Sequence, residues 1–205
     1  MLKLYFAPGT CAMAVHIALE EAGTDYEAVR LDFASHDQKR PEFLAINPKA
    51  RVPALVTAQG VLTETPAILA FVAQSFPAAA LAPTEPFAFA RAQAFNSYLC
   101  ATVHVAHAHR VRGNRWTDDP AAVEALKLKV PQNMADCFAL IERDMLVGPW
   151  VLGPNYSVCD AYLFTITRWL AADGVDVARF PGVQAHAQRM AARPAVQKVL
   201  ALHAA

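Results

Sequence analysis

Apolar positions in the first 76 residues alternate between short runs, typical of strands, and a spacing of three or four residues, typical of helices. Gly23 ends the first helical segment as a C-cap, Gln59-Gly60 marks a hairpin turn, and the polar residues 34–40 predict a loop. The pattern predicts strand, helix, strand, helical turn, strand, strand and helix over residues 2–6, 11–22, 26–31, 41–46, 53–57, 61–63 and 65–76. This order predicts a small mixed sheet covered by helices, because strands joined through a helix run parallel and a hairpin adds an antiparallel edge.

The pattern changes after residue 77. Residues 78–86 are rich in proline and alanine, carry few signals for strand or helix, and predict a linker. Helical spacing then predicts helices over residues 87–112, 120–145, 158–173, 182–192 and 194–203. Pro131 is expected to kink or split the second of these helices, because proline removes a backbone hydrogen bond. The sequence therefore predicts two domains, residues 1–77 and 87–205.

Composition excludes several classes of protein. At 55% hydrophobic and 18% charged residues, the chain is too apolar to be disordered. Lys+Arg and Asp+Glu number 18 each, so the chain lacks the basic excess of a general nucleic-acid binder. No apolar run reaches the about 20 residues of a membrane span, and the N-terminal run is too short for a signal peptide. The four cysteines form no CxxC pair, which indicates free thiols in a reducing compartment, so we expect a cytoplasmic protein.

Cys11 stands at the start of the first predicted helix, with Thr10 before it as a candidate N-cap. The partial positive charge at a helix N-terminus stabilises a thiolate and lowers the pKa of a cysteine. Cys11, or a thiol bound beside it, is then an activated sulfur. The alternative is a buried and inert cysteine, because free cysteines are often core residues. Position alone leaves both interpretations open.

Two further segments have groups that suit a peptide ligand. A cis Val52–Pro53 bond would turn the Val52 backbone outward to pair with a peptide, although a trans bond is far commoner. Glu64 and Thr65 join the last strand to the helix that follows. The Thr65 hydroxyl and the next N–H groups suit a carboxylate, and Glu64 suits an ammonium, which together are the two ends of an α-amino acid. A threonine that only caps the helix is the alternative.

Several histidines lie on one long predicted helix. Cys100, His104 and His107 share a face of a regular helix, and three such groups could bind zinc. Structural zinc sites take four ligands, usually from more than one element, which argues against this. We favour a single histidine that faces a cleft between the two domains.

Together these motifs resemble those of cytosolic glutathione transferases. Val-Pro before the third strand, Glu-Thr before the last helix of the first half and a Ser-x-x-Asp box in the helical half are typical of that family. The segments YFAPGTC, FLAINPKARVPAL and DAYLFT resemble its bacterial beta class. The resemblance implies an α/β plus all-α fold, with a thioredoxin-like N-terminal domain (βαβαββα) and a helical C-terminal domain. It also implies glutathione as co-substrate, a small electrophilic second substrate, no metal and a homodimer.

The resemblance places the site on particular residues. Cys11 matches the cysteine that lies against the glutathione sulfur, and Thr10 and His104 are implied to help lower the pKa of that sulfur. Ser97 is similar to a position that reaches glutathione across the dimer. The other implied glutathione contacts are Tyr5, His36, Val52, Pro53, Glu64 and Thr65.

The chain also departs from the class. His36 stands where the class has a lysine, with Lys39 a few residues on, and Val105 replaces a lysine after His104. Residues 102–116 differ from the best-known members and should line the second-substrate pocket, so the resemblance does not identify the electrophile. If Cys11 itself reacts, we expect thiol–disulfide exchange or peroxide reduction, and otherwise conjugation. A glutathione-binding or regulatory protein with little catalysis is the alternative to an active transferase.

Overall fold

The computed structural model describes residues 1–204 and begins with a mixed four-stranded sheet. The elements of this half are β1 (Leu2–Phe6), α1 (Ala12–Ala22), β2 (Tyr26–Arg30), α2 (Pro41–Leu44), β3 (Ala54–Thr57), β4 (Gly60–Thr63) and α3 (Thr65–Ser75). The sheet order is β2-β1-β3-β4, with β1 and β2 parallel and the other two pairs antiparallel. The predicted order of elements, the parallel pair and the antiparallel hairpin edge are confirmed.

The helical half follows a short 3₁₀ turn, Pro77–Ala79. Its helices are α4 (Pro86–Tyr98), α5 (His104–Arg112), α6 (Pro120–Leu140), α7 (Val158–Thr167), α8 (Pro181–Ala191) and α9 (Pro194–Ala204). Leu81, within the predicted linker, is buried, and its carbonyl accepts a hydrogen bond of 2.8 Å from Val158 N. The linker is therefore fastened to the start of α7, and the domain limits stay a prediction. Within residues 1–204, no helix is both long and apolar enough to cross a bilayer.

The helical half differs from the prediction in detail. Residues 87–112 are helical as predicted, but a π-helical turn, Leu99–Val103, separates α4 from α5. Pro131 does not split α6, since burial of neighbours such as Met134 and Phe138 offsets a proline cost of about 3 kcal/mol, and the alternative of a kink stays a prediction. The third helix ends at Thr167 rather than residue 173, and the chain then turns.

The turn after α7 connects the two halves of the chain. The Trp169 indole N–H donates a hydrogen bond of 3.0 Å to the Gly9 carbonyl, in the loop just before α1. α1 packs against both α7 and α9, so one helix of the N-terminal half is enclosed by the helical half. The loop that leads to Cys11 is therefore held from both sides.

Candidate active site

A cleft of about 1070 Å³ lies where the carboxyl end of β1 and the N-terminus of α3 meet α5. Sites for a drug-sized ligand have volumes of about 300–1,000 Å³, so this cleft has room for two small molecules. Most of the predicted site residues line it, namely Thr10, Cys11, His36, Val52, Pro53, Glu64, Thr65 and His104. The fold thus brings together side chains that are far apart in the sequence.

Two predicted glutathione contacts do not line this cleft. Tyr5 lies on β1, and its ring packs against Phe43 with ring centroids 5.5 Å apart, so its position does not support the predicted contact. Ser97 lies on an exposed position of α4. Its role across a dimer stays a prediction.

Cys11, rather than Thr10, holds the N-cap position of α1. The Thr10 hydroxyl instead donates a hydrogen bond of 2.7 Å to the Ala7 carbonyl, and its oxygen accepts from Ala12 N at 3.4 Å. Thr10 therefore stabilises the turn and accepts a hydrogen bond from one helix N–H, although it stands one residue before the N-cap, the position predicted for it. The Cys11 thiol donates to the Val52 carbonyl, with sulfur and oxygen 3.6 Å apart.

The Cys11 thiol is protonated at neutral pH. Burial raises its pKa to about 11, although the Thr65 side chain and the charge of Arg112 act to lower it. The expectation of a lowered pKa for Cys11 itself is therefore wrong, because the loss of solvation outweighs the partial charge at the helix end. Cys11 is only 8% exposed, which agrees with the interpretation of a buried cysteine, yet it lines the cleft, where it can neighbour a bound thiol.

The Val52–Pro53 peptide bond is cis. The Val52 carbonyl is occupied by the Cys11 thiol, so it does not face outward as expected. The Val52 N–H has no acceptor within residues 1–204, and Val52 lines the cleft. One of the two backbone groups is thus available to a peptide ligand.

Glu64, rather than Thr65, holds the N-cap position of α3, and Thr65 is the first helical residue. Glu64 has φ of +71°, a conformation that costs an L-residue about 1–3 kcal/mol and is concentrated at functional sites. Its carboxylate pairs with Lys49, with the Nζ and Oε1 atoms 2.6 Å apart. An exposed pair of this kind contributes about 0–1 kcal/mol, so a ligand ammonium can replace Lys49 at little cost.

His104 is a neutral imidazole on the cleft wall. Burial, followed by the charges of Arg112 and His107, lowers its pKa to about 3. It therefore offers a ring nitrogen as hydrogen-bond donor or acceptor and carries no positive charge at neutral pH. Its implied help in lowering the pKa of the glutathione sulfur stays a prediction, and a neutral ring would act through a hydrogen bond rather than a charge.

The zinc interpretation is not supported. Within residues 1–204, no group of three or more His, Cys, Asp or Glu side chains is placed to hold a metal ion. His107 instead forms a hydrogen bond of 2.8 Å with Asp173 and stacks on Trp169 with ring centroids 4.2 Å apart. Cys100 lies in the π-helical turn, so the regular spacing on which the prediction relied is absent.

Sequence reasoning missed Tyr162, which lines the cleft from α7. Its side chain is fully buried, and its hydroxyl has no hydrogen-bond partner within the described chain. Burial, with the nearby Cys11 and Cys100 sulfurs, raises the pKa of this hydroxyl well above its usual value. Tyr162 occurs in the DAYLFT segment, where its apolar neighbours indicated only a helix core.

Three arginines that were not named as site residues also line the cleft. Arg51 comes just before the cis Val52–Pro53 pair, and Arg112 and Arg115 lie at the end of α5 and in the turn after it. The ion pairs formed within residues 1–204 involve none of the three. Arg112 and Arg115 lie within residues 102–116, which were expected to line the second-substrate pocket, and both line the cleft, although neither was singled out as a site residue.

The chain is similar to named bacterial proteins over nearly its whole length. A family model described as "Glutathione S-transferase, N-terminal domain" matches residues 1–74. Glutathione S-transferase GstA of Escherichia coli O157:H7 is 31% identical, with 97% of each chain covered. The disulfide-bond oxidoreductase YfcG of Escherichia coli K12 is 28% identical, over 98% of this chain and 94% of that protein.

Solved structures share the fold as well. A glutathione transferase homologue from Sulfitobacter, solved with bound glutathione, has a TM-score of 0.96 and 47% identity, with 98% of each chain covered. The bacterial beta class glutathione S-transferase of Sphingomonas chungbukensis has a TM-score of 0.85 and 33% identity, again with 98% of each chain covered. These similarities extend across both the sheet half and the helical half. The chain therefore belongs to the glutathione S-transferase family.

Proposed function

We propose that this protein is a glutathione transferase that joins the sulfur of glutathione to a small electrophile. The observation that carries the proposal is the cleft wall itself. It presents the Val52 N–H, the N-terminus of α3 and the Cys11 turn on one side of a volume large enough for two ligands. This arrangement suits a γ-linked tripeptide with a central thiol.

Each part of glutathione has a chemical counterpart on this wall. The cysteinyl backbone pairs with the Val52 N–H. The γ-glutamyl carboxylate lies at the N-terminus of α3, where Thr65 and the helix end favour an anion, and the ammonium replaces Lys49 on Glu64. The glycyl carboxylate lies toward Lys39 and His36.

The reacting sulfur is that of glutathione rather than Cys11. A thiol with a pKa of about 11 is a poor source of thiolate at neutral pH, so Cys11 acts as a neutral neighbour in the cleft. Arg112 lowers the pKa of the Cys11 thiol through its charge, and it would stabilise a glutathione thiolate beside it in the same way. The thiolate then forms a bond to the electrophilic carbon, the leaving group departs with its electron pair, and the thiol proton passes to solvent.

Two further features complete the proposal. We expect a homodimer, in which Ser97 on the exposed side of α4 reaches the glutathione of the partner subunit. The free state of the four cysteines is consistent with a cytoplasmic location.

The proposal is tested by titrating the protein with reduced glutathione in a calorimeter and by following conjugation of 1-chloro-2,4-dinitrobenzene. We expect saturable binding and turnover, with both retained in Cys11→Ala and in the control Cys137→Ala, whose sulfur lies on α6 outside the cleft. Binding without turnover would favour a regulatory protein. Absence of glutathione binding would remove the proposed function altogether.

A further inference from the structure

The cleft carries a large excess of positive charge. The basic side chains that line it are Lys39, Arg51, Arg112 and Arg115. Within residues 1–204, one carboxylate lines the same cleft, that of Glu64, and Lys49 already neutralises it. A cleft lined by charges of one sign concentrates ligands of the opposite sign.

Arg112 and Arg115 line the same cleft, and neither has an ion-pair partner among the described residues. Burial lowers the pKa of both guanidinium groups, and the charge of Arg51 lowers both further. Arg110, two residues before Arg112 on α5, shows the contrast, because its Nε lies 3.0 Å from the Asp173 carboxylate. An anion bound beside Arg112 and Arg115 would give them the negatively charged partner that Arg110 has in Asp173.

Apolar side chains accompany these arginines at the mouth of the cleft. Val111 and Trp116 flank the pair in the sequence, and Phe33 lies on the loop after β2. All three line the cleft and remain exposed, by 64%, 48% and 38% respectively. The same surface thus offers contact to an apolar body and charge to an anionic group.

We propose that the second substrate is an electrophile with an apolar body and a carboxylate, which Arg112 and Arg115 bind while Val111 and Trp116 contact the body. The inference rests on the proposed transferase function, which assigns the two carboxylates of glutathione to the N-terminus of α3 and to the Lys39 region. Guanidinium groups suit this role, because their planar fork matches a carboxylate with two parallel hydrogen bonds.

A matched pair of probes separates charge from reactivity. In 4-chloro-3,5-dinitrobenzoate and its methyl ester, the glutathione sulfur bonds to the ring carbon that carries chlorine, and chloride leaves with the bonding electron pair. The thiol proton passes to the buffer. Each enzymatic kcat/KM is divided by the rate constant of the uncatalysed reaction of the same probe with glutathione, which removes the intrinsic difference in reactivity.

We expect the corrected acid-to-ester ratio to exceed about tenfold in the parent protein, as is typical when a charged hydrogen bond is gained. Arg112→Gln and the more exposed Arg115→Gln should each lower this ratio about tenfold, mainly through KM, and Arg112→Lys should restore part of it. The control Lys127→Gln also removes one positive charge, at an exposed position on α6 outside the cleft, and should leave the ratio unchanged.

The proposal is overturned if the ratio is near one, or if Arg112→Gln and Arg115→Gln lower the rates of acid and ester equally. Where turnover is too slow to measure, calorimetry compares the preformed glutathione conjugates of the acid and the ester, and equal affinities likewise overturn it. Binding of glutathione itself is measured separately. Its loss removes the transferase function, whereas glutathione binding without preference for the acid conjugate removes only the carboxylate site.

Discussion

Protection of Cys11 from alkylation follows directly from its burial. At pH 7.5 an ordinary thiol with a pKa of about 8.5 is about 9% ionised, whereas one with a pKa of about 11 is ionised about 0.03%, which is about 300-fold less. A thiolate of higher pKa is intrinsically more nucleophilic, which recovers about tenfold of this difference. We therefore expect folded Cys11 to react with iodoacetamide at least about 20-fold more slowly than the same cysteine in denaturant.

Peptide-level mass spectrometry measures this rate for each cysteine separately, over a series of reaction times. Thr65→Val should slow the alkylation of Cys11 further, since the Thr65 side chain lowers the pKa of this thiol. Cys137, also buried, serves as the internal control in that variant and should keep its rate. If folded Cys11 reacts as fast as the denatured chain, the conclusion that desolvation dominates at this helix end is wrong.

Three further results are expected. Glu64→Gly should raise the free energy of unfolding by about 1 kcal/mol in urea titrations, because glycine tolerates the positive φ at this position, and it should weaken glutathione binding. Glu64→Gln should weaken glutathione binding with no gain in stability. Burial lowers the pKa of His16 and of His203 to about 4, so the unfolded chain takes up more protons than the folded chain below pH 6.5. The free energy of unfolding should therefore fall by about 1–2 kcal/mol per histidine between pH 7 and pH 5. A urea midpoint that does not change over that range would contradict this, and His203→Asn should weaken the dependence of the midpoint on pH. Burial and nearby arginines lower the pKa of His104 to about 3, so this residue does not titrate between pH 5 and pH 8. The pH profile of kcat/KM over that range should therefore have the same shape in the parent protein and in His104→Gln. An inflection near pH 6.5 that only the parent protein shows would refute the neutral state of His104.

Local patterns sufficed to predict the sheet half. Each strand and helix there carries its own start and stop signals, as at Gly23, where φ of +64° places a glycine in the left-handed conformation at the end of α1. In the helical half, the signals that mattered were not local. The π-helical turn before His104 and the end of α7 at Thr167 depend on packing between elements, and helical spacing does not reveal such packing.

The features of the candidate site also differ in how well the sequence predicts them. The helix after Glu64-Thr65 followed from local signals, among them Pro66 in its first turn, whereas residue types alone favoured a trans bond before Pro53, and only the family resemblance pointed to the cis bond that the structure has. The protonation states of Cys11 and His104 did not, because they depend on how much water surrounds each group in the folded chain. Residues 102–116 were expected to line the second-substrate pocket, but the sequence did not single out Arg112, because a basic residue at a helix end is usually solvated.

The hydrogen bond from Trp169 to the Gly9 carbonyl means that both halves of the chain are needed to hold the loop beside the candidate active site. The N-terminal half on its own would lose the indole that steadies the turn before Cys11, and it would expose Met13 and Ile17, which are buried against Phe164 and Met190. Separating the halves at the linker would therefore yield fragments that are each incomplete, although the chain looks modular when it is read residue by residue.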